Sequence, residues 1–203
     1  ETLYNRIDVE AVQAEQVSRE AAREHLGLPQ DVWVVGNVGR LHPDKDQATL
    51  IRGFAQALPQ LPAGSLLAIM GSGRLESDLK ALALELDISD SVRFIGQVPN
   101  GRRYFKAFDV FALTSDHEPF GMVLLEAMAA GVPVICSDCG GGPEVVGELG
   151  MFFPLGDSDV LAQRLLLSVT ITSQEPVLTH MRRFTDIAAQ ETFWKLSLIH
   201  ISD

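Results

Sequence analysis

The stretch Ser115-Asp-His-Glu-Pro-Phe-Gly-Met-Val-Leu-Leu-Glu-Ala-Met-Ala-Ala-Gly131 decides how the rest of the chain is read. It follows Val110-Phe-Ala-Leu113, a short apolar run of the kind a buried strand makes before it reaches a polar loop. Met122 to Ala130 then reads as a helix in which Glu126 is the single charged residue. A helix apolar nearly all round is a buried one, and a carboxylate inside it is costly unless something pairs with it. Glu118 lies eight residues earlier, in the turn at the strand end. Two carboxylates therefore frame one helix start. Taken alone, pairing of Glu126 with an internal Arg or Lys would account for its charge.

Outward from this stretch, the same strand-then-helix pattern recurs. Val32 to Val38, Leu66 to Met70, Val92 to Ile95, Val132 to Cys136 and Met151 to Phe153 read as further strands. Between them, Asp46 to Leu58 and Leu75 to Leu86 carry apolar residues at helical spacing, and a short helix is expected near Arg102 to Lys106 and another over Pro143 to Val146. Val9 to Leu26 reads as one charged, Ala-rich helix closed by Gly27 and Pro29; Val160 to Val169 and Pro176 to Leu196 read as closing helices. Short apolar strands alternating with helices imply βαβ units. The expected fold is α/β: a Rossmann-like parallel sheet of about six strands with helices on both faces.

Composition narrows the function classes. The chain has 203 residues, 46% hydrophobic and 21% charged, with a net charge of −11. That size suits one α/β domain, and that charge argues against a nucleic-acid surface, which needs a basic stripe. No apolar run approaches the ~20 residues of a membrane span, and the expected location is cytoplasmic, without a leader. Cys136 and Cys139 form a lone C-x-x-C, read as inert reduced thiols: a zinc site needs more ligands, and the five histidines lack partner spacing.

In parallel sheets the ligand lies outside the carboxyl ends of the strands. Those ends here carry Gly39-Arg40 to Lys45, Gly71-Ser-Gly73, Gly96-Gln97, Ser115 to Gly121 and Gly140-Gly-Gly142. Glycine permits close backbone approach, and helix N-termini attract anions, so a nucleotide or phosphate ligand is the natural inference. A dinucleotide fingerprint fails, because Glu76 stands where the third glycine belongs after Gly71-Ser-Gly73. Neither a Walker lysine motif nor G-x-S-x-G is present, and Ser115-Asp116-His117 form no triad by mere adjacency. Asp157-Ser-Asp159 reads as a helix cap rather than a metal motif.

Taken together, Gly39-Arg40-x4-Lys45, Gly71-x-Gly73, Glu118-Pro-Phe-Gly121 through Glu126, and Gly140-Gly-Gly-Pro-Glu144 resemble the nucleotide-sugar-binding domain of family 4 glycosyltransferases, retaining enzymes of the GT-B fold. The family's E-x7-E pair is matched by Glu118 and Glu126, and the resemblance runs from about residue 1 to 195. It implies one half of a GT-B fold, with 1–8 as interdomain connector, 9–196 as the donor domain, and the acceptor-binding half in an absent N-terminal domain. Leu3 to Asp8 resembles the family's connector, with Arg6 where a glycine is usual, and 197–203 matches nothing expected there and reads as a non-native remnant or a disordered end.

The resemblance also implies roles. Arg40, Lys45 and Glu118 would form the reaction centre, the two cations holding the donor diphosphate without a metal or other cofactor, and Glu118 meeting the sugar hydroxyls. Glu126 would accept the ribose hydroxyls. Gly39, Gly71, Gly73, Gln97 and Val98 would line the donor cleft, with the amides of Phe120, Gly121 and Met122 aimed at sugar and phosphate. Glu144 reads equally well as a helix-start residue. The expected partners are a nucleotide sugar and, through the absent domain, a carbohydrate or lipid-linked acceptor, as in polysaccharide or lipopolysaccharide synthesis; any association with the inner face of a membrane would pass through that domain. A GT-B sugar-nucleotide epimerase and a non-catalytic nucleotide-sugar-binding module are the competing readings.

Overall fold

In the computed structural model, residues 8–118 and 121–171 are described. Six strands form one sheet: β1 (Val34–Val38), β2 (Leu66–Met70), β3 (Val92–Gly96), β4 (Val110–Leu113), β5 (Val134–Ser137) and β6 (Met151–Phe153). Their order is β3-β2-β1-β4-β5-β6, and every neighbouring pair is parallel. Crossover helices are α1 (Val9–Glu15), α2 (Arg19–Leu26), α3 (Gln47–Ala57), α4 (Glu76–Glu85), α5 (Met122–Ala129), α6 (Gly142–Val146) and α7 (Ser158–Ser168).

Alternation along the strands explains why both faces are covered. Val34, Leu66, Ala68, Met70, Phe111, Leu113, Val134 and Cys136 point into one core, closed by α1, α2, α5 and α6. Val35, Leu67, Ile69, Val110, Ala112 and Ile135, one residue out of step, point into the other, closed by α3, α4 and α7. A strand buried on both faces reads as a continuous apolar run, which is why β2 is Leu-Leu-Ala-Ile-Met. In this strand order β1 and β4 are adjacent although they are fed by different halves of the chain, and the sheet reverses its direction of winding between them. In open parallel sheets the ligand crevice lies at such a point, outside the carboxyl ends of the strands.

The expected single helix over Val9 to Leu26 is two. Gln16 leaves α1 in an extended conformation, and its side-chain amide donates to the carbonyl of Arg102 at 2.6 Å. Val17 donates to the carbonyl of Arg103, and Ser18 caps α2 by accepting from the amide of Ala21. Local helix propensity lost to a tertiary contact with the 3-10 helix Gly101–Ala107. Asp157 does cap α7, accepting from the amide of Val160 at 3.0 Å, as its spacing predicts. The expected helix over Pro176 to Leu196, most of the connector and the 197–203 tail lie outside the described residues.

Candidate functional site

The loop leaving β1 is pinned by apolar and backbone contacts, which fix where its cations stand. Leu41 is 1% exposed, its amide donates to the carbonyl of Ser72, and its own carbonyl accepts from Leu75. Gly71, at φ +141°, lies so close that an added Cβ would stand 1.9 Å from the Gly39 carbonyl oxygen, and one on Gly73 would stand 2.4 Å from that of Leu41. Packing of one loop on another therefore already requires both glycines. Around Leu41 the chain folds back, with the His42 amide donating to the Arg40 carbonyl at 3.0 Å. Beyond it, Asp46 adopts a left-handed conformation at φ +43° and caps α3 through the amide and hydroxyl of Thr49. The buried Gln47 donates to the Arg40 carbonyl at 3.0 Å, so the backbone carrying Arg40 is held from inside.

The loop leaving β4 is tied to this one three times. Thr114 Oγ1 donates to the Lys45 carbonyl at 2.8 Å, the amide of Asp116 donates to the Asp44 carbonyl at 3.0 Å, and Lys45 Nζ donates to Glu118 Oε2 at 3.0 Å. Lys45 and Glu118 are only 18% and 16% exposed, so their ion pair is largely withdrawn from water. From the other side the loop after β5 supports Glu118. The Gly141 amide donates to its carbonyl at 2.8 Å, and Gly140, at φ +65°, packs so that a Cβ would lie 3.0 Å from the Glu118 nitrogen. Arg40, by contrast, is 71% exposed and makes a loose 3.4 Å contact with Asp44.

Helix α5 begins at Gly121, at φ +60°, with no side chain capping it, so the first-turn amides at Met122 face the loop without a side-chain acceptor. Glu126 is half-buried one turn further in. Burial pushes its carboxyl above the usual range, the charge of Arg102 opposes this, and Glu15 adds to it. The expected direct partner is missing: among the described residues the Glu126 carboxylate has no hydrogen bond or ion pair, and Arg102 forks onto Glu15 with two contacts of 2.8 Å. Gln97 is exposed after β3, while Val98 packs against the first core. Phe120 lies outside the described residues. The structure thus brings Gly39, Arg40, Lys45, Glu118, Gly121 and Met122 to the β1–β4 crevice, and sets Gln97, Val98 and Glu126 toward the β3 side and the 3-10 helix.

Three polar residues here escape a reading of the sequence: His42, Asp44 and Gln47. Asp44 accepts from His42 Nδ1 at 2.5 Å. Partial desolvation raises its carboxyl, but the His42 hydrogen bond and the charges of Lys45, His42 and Arg40 together hold it below the usual range. The one available signal was position, since all three sit in or just beyond the same strand-end loop. Cys136 is buried, and burial, with Cys139 and Asp138 nearby, pushes its thiol up to about 12, which suits an inert packing residue. At the opposite end of β4, Arg23 is fully buried and donates to Asp109 and to the carbonyls of Pro29, Gln30, Val32 and Ala107. That network supports the fold, not the crevice.

Known proteins share both the sequence and this architecture. The family model described as "Glycosyl transferases group 1" matches residues 18–175. The chain is 37% identical over 146 residues to the lipopolysaccharide core biosynthesis glycosyltransferase LpsE of Rhizobium meliloti, covering 70% of this chain and 41% of that protein. It is 37% identical over 158 residues to a GDP-mannose-dependent monoacylated alpha-(1-6)-phosphatidylinositol monomannoside mannosyltransferase of Corynebacterium glutamicum, covering 73% and 41%. Among solved structures, Anabaena HepE in complex with UDP and glucose superposes with a TM-score of 0.80 at 27% identity, covering 97% of this chain and 56% of that one. The chain therefore spans well under half the length of these curated relatives. The sheet order, the sequence likeness and the family match agree, and the chain belongs to the group 1 glycosyl transferases, with the Rossmann-like half of a GT-B architecture.

Proposed function

We propose that this chain is the donor-binding half of a retaining glycosyltransferase that moves a sugar from a nucleoside-diphosphate sugar to an acceptor hydroxyl. The observation that carries this reading is the 3.0 Å contact of Lys45 with Glu118 across the β1–β4 crevice. A cation and a carboxylate at the point where a diphosphate meets its sugar are the two charges this substrate class asks for. Supporting it, the solved structure of HepE holds UDP and glucose.

In the proposed complex, Arg40 and Lys45 bind the diphosphate, each charge-assisted bond contributing ~1.5–3 kcal/mol. Glu118 then exchanges part of its bond with Lys45 for a sugar hydroxyl. The uncapped first turn of α5 faces the phosphate and sugar, with its partial positive charge favouring the anion. Glu126, which lacks a direct partner among the described residues, accepts the ribose hydroxyls. As the glycosidic bond breaks, negative charge grows on the departing diphosphate, and Arg40 and Lys45 stabilise it where a metal would in other designs. The acceptor attacks from the face the phosphate leaves. A second domain of a longer protein supplies the acceptor, so the chain alone has little transferase activity.

Calorimetric titration with UDP, GDP and ADP and their sugars tests the donor site directly. At least one is expected to bind, and absence of binding by folded protein at millimolar concentration would remove the reading.

A further inference from the structure

His42 has no part in the reading above, yet the loop is built so that it stands beside Arg40. The turn around buried Leu41, closed by the His42 amide on the Arg40 carbonyl, brings both side chains to the same outer edge. Both meet one carboxylate: Asp44 Oδ1 takes His42 Nδ1 at 2.5 Å, and Asp44 Oδ2 takes Arg40 Nη2 at 3.4 Å. The backbone carrying Asp44 is held in turn, because its main-chain carbonyl accepts from the Asp116 amide. His42 is 41% exposed in its side chain, and with Nδ1 committed to Asp44 its remaining reactive atom is Nε2.

We propose that His42, oriented by Asp44, is a third ligand of the donor diphosphate and couples donor binding to the uptake of one proton. The inference rests on the donor-site reading above. In neutral imidazole with Nδ1–H donating to Asp44, Nε2 bears a lone pair that faces a phosphate oxygen unfavourably. With a solvent proton on Nε2, the ring becomes a second N–H donor and a cation, with its charge partly balanced by Asp44. No bond to the ligand forms or breaks. The charged groups that set this balance are Arg40, Asp44 and Lys45 on the same loop, Arg74 on the loop packed against Leu41, and Asp116, His117 and Glu118 on the loop after β4. Asp44 thereby acts as a positioning residue, holding one histidine and one arginine in reach of the same anion.

The test is calorimetric affinity for UDP-glucose and GDP-mannose between about pH 5.5 and about pH 8, the range in which an imidazole changes charge. These probes suit the purpose because a diphosphate diester does not change charge over that range. The parent chain should bind at least about tenfold more tightly at the acid end, the gain of one charge-assisted hydrogen bond. His42→Gln should flatten the profile to within about twofold, and His25→Gln, on α2 and stacked on Tyr104, should leave it unchanged. Asp44→Asn should also shrink the acid-to-neutral ratio, whatever it does to absolute affinity, since it removes an anion as well as an anchor. His42→Asn repeats the test if the glutamine variant does not fold. Binding with a flat profile, or a profile that survives His42→Gln, overturns this inference and leaves the donor site standing. If no sugar nucleotide of UDP, GDP or ADP binds at any pH, both readings fall.

Discussion

Lys45 and Glu118 pair with each other, and this makes opposite predictions for two ligands that differ only in a sugar. Their 3.0 Å pair is largely desolvated, at 18% and 16% exposure, so water screens it little and removing one partner leaves the other charge poorly compensated. A diphosphate entering the crevice must share Lys45 with Glu118, and Glu118 also repels it. Lys45→Ala removes a charge-assisted bond and leaves Glu118 facing the anion, so UDP or GDP affinity should fall by at least about 2 kcal/mol, roughly 30-fold. Glu118→Gln does the reverse for the bare nucleotide. With the competing carboxylate gone, Lys45 is free, and binding should strengthen by about 0.5–1 kcal/mol, roughly two- to fivefold. For the nucleotide sugar the same substitution weakens the sugar contact, and the gain should vanish or turn into a loss. Isothermal calorimetry on the two single variants and the double variant provides the cycle. If Glu118→Gln weakened the bare nucleotide as much as the nucleotide sugar, or if Lys45→Ala changed neither, the shared-cation picture would be wrong.

Glu126→Gln should weaken UDP more than deoxyuridine diphosphate, and equal losses would remove the ribose assignment. The same variant bears on stability. A carboxyl whose folded value is raised binds its proton more tightly folded than unfolded, so the burial penalty is absent below its ordinary value of 4.5 and is fully present above the raised one. Glu126→Gln should therefore raise the melting temperature near neutral pH, with the gain disappearing as the pH falls below that ordinary value. Asp109→Ala strips the partner from fully buried Arg23, and chemical denaturation should show a loss of about 3–5 kcal/mol. Gly71→Ala places a methyl group 1.9 Å from the Gly39 carbonyl and should both destabilise the fold and weaken donor binding by displacing the Arg40–Lys45 loop; intact affinity in a folded variant would show that the loop does not matter.

Local patterns carried a large share of the reading. Both sheet faces are buried, so β2 and β4 appear as unbroken apolar runs, and α3 shows its own period; these signals lie within a few residues of one another and need no tertiary knowledge. Since ligands of parallel sheets lie at the carboxyl ends, the loops at 39–45, 71–73 and 115–121 could be marked as candidate site loops before any of them had a position in space. Asp157 as a cap was legible for the same reason, since donor and acceptor are three residues apart. Glu126 shows the limit of such signals. Its unusual place in an apolar helix was visible, but the direct partner expected for it is absent, and Arg102 is taken by Glu15 on a helix 87 residues away.

What the chain's sequence determined by itself is therefore the inventory: six strands, their helices, and the loops that hold the candidate residues. The tertiary structure alone decided which of those loops meet. It set β1 beside β4, brought Lys45 to Glu118 across 73 residues, turned His42 and Arg40 onto one carboxylate, and broke the first helix at Gln16 where the 3-10 helix claims its side chain. The physical reason is range. Periodicity and capping are settled between neighbours in the chain, whereas ion pairs, loop-on-loop packing and the Gly71 contact with Gly39 exist only after the sheet has chosen its strand order.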